Sequence, residues 1–238
     1  MAKGSRLVKM IVCDMFGTVV KDCGAINKAL DRTFSSQGIF LGSSMRRHWF
    51  DSNMVNVISD TVNEVCNRSP AGLEHIIRQS ETIFRNELEK IYAEEKPCVT
   101  LIDNNIPNLF DELRKNDIIV ALNTNFSELV QKNIMDQLSL NHYVDDCISR
   151  DMVKLGRPAP HMIWQLMNNN DIDDPSTVVK IGDSVDDIKE GKNANCGIVA
   201  GVLTGSSTRQ QLEKYNPNVV FDTVVDLRNY MRRNFIIF

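Results

Sequence analysis

Among the six cysteines of the chain, Cys13, Cys23, Cys66, Cys98, Cys147 and Cys196, no pair stands in Cys-x-x-Cys spacing. That spacing argues against a disulfide frame and a thiolate zinc site, and it predicts mostly buried thiols in a reducing cytoplasm. No apolar run approaches the roughly 18 residues that would suggest a membrane span. The segment Met1–Arg6 passes straight into a strand pattern, so no signal peptide is expected. A basic stripe is also missing. Twenty-seven Lys and Arg stand against 31 Asp and Glu, for a formal charge of −4, and the pairs Arg46-Arg47 and Arg232-Arg233 are too short to make a nucleic-acid footprint. Repeats and low-complexity tracts are absent apart from Asn168-Asn169-Asn170, which reads as a helix end.

What is present is an ordinary globular balance: 238 residues, 42% hydrophobic and 24% charged, enough for one large domain or a main domain with an insertion. Five short apolar runs, 7–13, 118–123, 144–148, 177–182 and 197–202, read as buried parallel strands. Helical patterns at 127–138, 160–169 and 184–194 alternate with the last four, and a strand near 218–221 with a helix near 223–234 closes the unit. Strands alternating with helices predict an α/β fold with a Rossmann-like parallel sheet. Residues 24–97 differ, with helical periodicity at 25–37, 54–66 and 72–92 and almost no strand signal. The expected division is a core of residues 1–23 and 98–238 with a helical cap, 24–97, inserted after the first strand. The apolar tail Phe235-Ile236-Ile237-Phe238 is expected to cover the core.

Four separated pieces each follow a predicted strand and would meet at one sheet edge, where open α/β proteins bind ligands. Asp14 ends the run Leu7–Cys13 and enters a turn at Gly17. Asn123-Thr124-Asn125 offers a hydroxyl and turn amides suited to a phosphate oxygen. Gly156-Arg157-Pro158-Ala159-Pro160 carries a permanently charged planar fork on a stiff loop. Gly182-Asp183-Ser184-Val185-Asp186-Asp187 clusters carboxylates that repel one another unless a hard cation sits among them. Taken singly, each has a plainer reading: a turn former, a cap, a surface ion pair, a first helical turn favoured by the macrodipole. Their order along the chain favours a site.

These four motifs resemble those of the haloacid dehalogenase-like hydrolase superfamily, in its phosphonatase-like (phosphonoacetaldehyde hydrolase-related) branch. Arg157, where most of the superfamily has Lys, and the runs Ile181–Gly191 and Gly201–Ser207 carry the likeness to that branch. The resemblance implies Mg2+-dependent chemistry on a small phosphorylated or phosphonate metabolite through an aspartyl intermediate. It makes Asp14 the nucleophile. Mg2+ would be held by Asp14, the Phe16 carbonyl and Asp183, with Asp187 as a support or a ligand through water. Thr124 and Arg157 would grip phosphoryl oxygens, with Asn125 and the cap residue His48 as further substrate contacts. Trp49 and Phe50 have an equal claim to packing the cap, and Lys154 reads as a solvated surface lysine. A homodimer is one open option for the assembly.

Two departures qualify the match. Phe16 stands where phosphatases of the superfamily place a general acid, and Phe cannot move a proton, so leaving groups needing little protonation are favoured. The branch's imine-forming cap lysine is also missing: no lysine lies between Lys28 and Lys90, and Met54 falls near its expected place. Recruitment of Lys21 or Lys28 is the one replacement the sequence offers. Two other readings stand beside the phosphohydrolase: a phosphate-ligand-binding protein with weak or no turnover, and a 2-haloacid dehalogenase, which also has an aromatic residue two places after its nucleophile.

Overall fold

The computed structural model describes residues 7–40, 54–66, 69–95 and 99–234. In chain order its elements are β1 (Met10–Asp14), β2 (Val20–Asp22), α1 (Ala25–Ser36), α2 (Met54–Val65), α3 (Pro70–Glu94), β3 (Val99–Leu101), α4 (Ile106–Arg114), β4 (Ile119–Thr124), α5 (Glu128–Gln137), β5 (Asp146–Ser149), α6 (His161–Asn169), β6 (Val178–Gly182), α7 (Val185–Asn193), β7 (Ile198–Val202), α8 (Arg209–Glu213), β8 (Val219–Phe221) and α9 (Leu227–Asn234). The chain divides into two units, Met1–Lys21 with Val99–Phe238, and Asp22–Cys98.

The larger unit is an α/β Rossmann-like fold on a six-stranded sheet of order β5-β4-β1-β6-β7-β8, with parallel pairing throughout. Parallel neighbours need crossovers, and α5, α6, α7 and α8 supply them. Alternation sends Met10 and Val12 to one face, where they pack with Ala121, Ile148 and the α6 side chains Met162, Ile163 and Leu166. Ile11 and Cys13 point the other way and are also fully buried, so both faces of β1 are covered. From β1 the chain first builds outward through β4 and β5, then returns to β1's other side with β6. That reversal makes the carboxyl end of β1, where Asp14 stands, the switch point at which open sheets of this kind bind ligands.

The smaller unit is helical, with α3 packed against both α1 and α2. The Asp22 carboxylate accepts from the amides of Gly24, Ala25 and Ile26 at the start of α1 and from the Tyr92 hydroxyl at 2.9 Å. Ser69 caps α3, with Pro70 in the first turn where a missing N–H costs nothing. Gln37 donates to Ser80 Oγ at 2.7 Å, and Arg32 pairs with Glu87 and Glu95.

The strands and helices read from the sequence lie within a few residues of those observed. Helix α4 went unread because Asp103-Asn104-Asn105 and Pro107 look like a turn; its Ile106, Leu109, Phe110 and Leu113 nonetheless line one buried face at helical spacing. The cysteine expectation needs correction. Of the five described, all free, only Cys13 is buried, because only it lies in the middle of a central strand; Cys23 is exposed and Cys66, Cys147 and Cys196 are half-buried at turns and edges. The tail Phe235–Phe238 lies outside the described residues.

Candidate active site

Pairing of β1 with β4 sets Asp14 beside Asn123, and pairing of β1 with β6 sets Cys13 beside Ile181, so the loops after all three strands emerge together. Asp14 and Arg157 meet there as an ion pair, with 6% and 5% of their side chains exposed. The guanidinium also reaches Asp187 Oδ1 through Nη1 at 2.9 Å and donates from Nη2 to the Asn123 carbonyl at 3.0 Å. Its Nε lies 3.6 Å from Glu190 Oε2. Beneath this layer sits Lys180, fully buried in β6, with its ammonium 2.9 Å from Asp187, 3.1 Å from Glu190 and 2.8 Å from Asn123 Oδ1. Asn123 donates from Nδ2 to both Glu190 oxygens.

Asp187 is fixed by a capping box at the start of α7: Ser184 N and Oγ donate to its Oδ2, and Ser184 Oγ accepts from its amide. Asp183, one residue past β6, accepts from the Ser206 amide at 2.7 Å and hydroxyl at 2.9 Å, while Thr18 Oγ1 lies 3.5 Å from its other oxygen. Glycines admit this carboxylate. A Cβ on Gly17, at φ +80°, would come within 2.7 Å of it, and one on Gly205 would overlap it.

Burial is the largest influence on Asp14, Asp183, Asp187, Arg157 and Lys180. It raises Asp14 well above the usual carboxylate range, helped by Asp187 and Asp183, and Arg157 only partly offsets it. Asp183 is raised by burial and by Asp187, against the Ser206 hydrogen bonds. For Asp187, burial is outweighed by Arg157 and Lys180, which hold it below the ordinary value. Arg157 and Lys180 are both raised, because their carboxylates overcome the desolvation that would lower them.

Oxygens of Asp14, Asp183 and Asp187 lie within 4.8 Å of one another. Formally, four carboxylates (these three and Glu190) face two buried cations (Arg157 and Lys180), a difference of two negative charges. A divalent cation would cancel it, and the all-oxygen donors suit a hard one.

Of the other residues singled out in the sequence, Thr124 is buried at the end of β4, its hydroxyl accepting from the Phe126 amide at 3.3 Å. Asn125 follows it, exposed. Phe16 occupies the turn between Asp14 and Gly17, its ring 4.8 Å from that of Phe126 in an edge-to-face contact. Lys154 is exposed, and Lys28 is paired with Glu95 within the helical unit. His48, with Trp49 and Phe50, lies outside the described residues, and of Met54 only the helical backbone is described. Sequence reading missed Lys180, Glu190 and Ser206. A visible signal existed for the first: a lysine inside Val178-Val179-Lys180-Ile181-Gly182, a strand with no polar face, requires a buried partner.

A family model for haloacid dehalogenase-like hydrolases matches residues 11–202. A phosphonoacetaldehyde hydrolase of Bacteroides fragilis is 28% identical over 208 residues, spanning 85% of this chain and 78% of that one. Another, from Latilactobacillus sakei, is 38% identical over 96 residues, covering 40% of this chain and 36% of its own. Among solved structures, a phosphonoacetaldehyde hydrolase-like protein from Oleispira antarctica superposes with a TM-score of 0.76 at 18% identity, over 98% of this chain and 96% of that one. A predicted phosphoglycolate phosphatase from Haemophilus somnus does so at 0.74 and 18%, over 94% and 98%. At such identities the structures speak for the fold alone.

Proposed function

The chain belongs to the haloacid dehalogenase-like hydrolase family, and on that premise we propose that it is a Mg2+-dependent phosphohydrolase of the phosphonatase-like group. Its substrate would be a small phosphorylated or phosphonate metabolite, processed through an aspartyl-phosphate on Asp14. The observation that carries this reading is the buried ion pair of Asp14 with Arg157, within a group whose formal charge calls for a divalent cation. Asp14, Asp183 and the Phe16 carbonyl would hold Mg2+, with Asp187 in support. When bound, it would favour the ionised form of Asp14 and reduce the repulsion between carboxylate and phosphate.

In the first half of the reaction an Asp14 oxygen attacks phosphorus, the bond to the leaving group breaks, and that group departs with the electron pair. Arg157 supplies a fixed positive fork for the equatorial oxygens, where charge builds in the transition state. Thr124, already accepting from the Phe126 amide, has its own proton to donate to a phosphoryl oxygen. In the second half water attacks phosphorus, the bond to Asp14 breaks, and inorganic phosphate leaves. Phe16 offers no proton to either half, so acyl phosphates and aryl phosphates are preferred over alkyl esters. The second unit, Asp22–Cys98, is assigned the part of the inserted cap.

The dehalogenase reading is disfavoured, since Asp183, Asp187 and Glu190, all buried near Asp14, would repel a carboxylate substrate. No helix among the described residues is long and apolar enough to cross a membrane. Free thiols at all five described cysteines support a reducing, cytoplasmic setting.

The test is phosphate release from acetyl phosphate and p-nitrophenyl phosphate with Mg2+. Release that disappears with EDTA and in Asp14→Asn is the expected result. Equal signal from wild type and Asp14→Asn would remove the proposal, and saturable phosphate binding without turnover would favour the ligand-binding alternative.

A further inference from the structure

Two oxygens are claimed twice in this site. Asp187 Oδ1 lies 2.9 Å from both Arg157 Nη1 and Lys180 Nζ; Glu190 Oε2 lies 3.1 Å from Lys180 and 3.6 Å from Arg157 Nε. The second pair of distances matters most. At 3.1 Å the ammonium and the carboxylate are in close ionic contact, whereas at 3.6 Å Arg157 Nε makes no hydrogen bond. Glu190 is therefore satisfied by Lys180 and by both its contacts to Asn123, and Arg157 is left with its two terminal nitrogens turned to Asp14 and Asp187. Lys180 itself donates a hydrogen bond to Asn123 and ion-pairs with Asp187 and Glu190, so its charge is taken up within this group.

We infer that Lys180 and Glu190 are positioning residues, in which Lys180 neutralises Glu190 so that Arg157 stays aimed at the reacting rim. The inference rests on the phosphohydrolase reading for its kinetic consequence but not for its geometry. Without Lys180, a buried carboxylate would face Arg157 alone, and Coulomb attraction in a water-poor interior would draw the guanidinium back from Asp14 to close the 3.6 Å gap. Asn123 ties the layers together, since its carbonyl accepts from Arg157, its amide nitrogen donates to Glu190 and its side-chain oxygen accepts from Lys180.

The experiment compares wild type, Lys180→Met, and the charge-matched double variant Lys180→Met/Glu190→Gln, with arginine side chains 15N-labelled and the Arg157 Nε signal assigned through Arg157→Lys. The Nε signal is expected to move in Lys180→Met and to return toward the wild-type position in the double variant. With acetyl phosphate and Mg2+, kcat/KM is expected to fall on the order of 10- to 100-fold in the single variant and to recover at least tenfold of any larger loss in the double. A purely packing role predicts the reverse order, with the double variant no better than the single. If Lys180→Met fails to fold, the double variant decides: a wild-type-like Arg157 signal supports the inference and a displaced one overturns it. If wild type shows no turnover, the functional reading fails while the arginine signals still judge the positioning claim. Unchanged Nε signals across all three proteins overturn it.

Discussion

Arg157 and Asp14 form an ion pair in which neither side chain exposes more than 6% of its surface, although 143 positions separate them in the chain. A pair so placed is costly to break, because removing one partner strands a buried charge. It also leaves the arginine fork committed to the carboxylate that would attack phosphorus.

Arg157→Lys is therefore not conservative. Lysine keeps the charge but not the planar fork that spans Asp14 and Asp187. The expected loss in kcat/KM toward acetyl phosphate is about 10²-fold, comparable with removal of one transition-state donor. Steady-state kinetics measure it, and wild-type activity in the variant would remove Arg157 from phosphoryl binding.

Binding of Mg2+ should stabilise the fold, and more so at neutral than at acid pH. Asp14 and Asp183 have raised folded values, so their contribution is intact below the unfolded value near 3.8 and is lost as pH rises through the folded one. A cation reverses that loss by favouring the ionised carboxylates. At a hundredfold excess over Kd the gain is about 2.7 kcal/mol, or roughly 5–10 °C in Tm for a chain of this size. Calorimetry at pH 5 and pH 7.5, with Mg2+ and with EDTA, gives the comparison; an equal effect at both pH values contradicts the assignment.

Phe16→Asp should broaden the leaving groups accepted. An acid two places after the nucleophile can protonate an alkyl oxygen, typically a gain of ~10²–10⁴-fold where the leaving group is poor. The ratio of alkyl phosphate to p-nitrophenyl phosphate hydrolysis should rise accordingly. Loss of the edge-to-face contact with Phe126 costs about 1 kcal/mol, which thermal unfolding reports. An unchanged ratio would mean that the absent proton donor is not what limits the substrate range.

Alkaline pH should destabilise the fold through Cys13. Burial pushes this thiol from its ordinary 9.0 up to about 12, with Lys180 opposing and Asp14 and Asp187 assisting. The unfolded chain releases the proton near pH 9 and the folded chain does not, so the contribution is complete below 9 and lost as pH rises toward 12. By pH 10 the loss is about 1.4 kcal/mol. Cys13→Ala should show a shallower fall of Tm from pH 8 to 10, and a thiol reagent at pH 8 should label exposed Cys23 while sparing Cys13.

The sequence by itself determined the sheet strands, because parallel strands covered on both faces must be runs of apolar residues, and Val178–Gly182 or Ile198–Val202 can be little else. It also ordered the candidate site, since Asp14, Thr124 and Asp183 stand at the ends of such runs and Arg157 lies in the loop that follows another. Tertiary structure alone decided how their charges are shared. Lys180 sits mid-strand and Glu190 mid-helix, and only the packing of α7 beside β6 shows that one neutralises the other. Strand and helix periodicities record which way a side chain points, whereas Coulomb balance depends on distances between segments that no local pattern encodes.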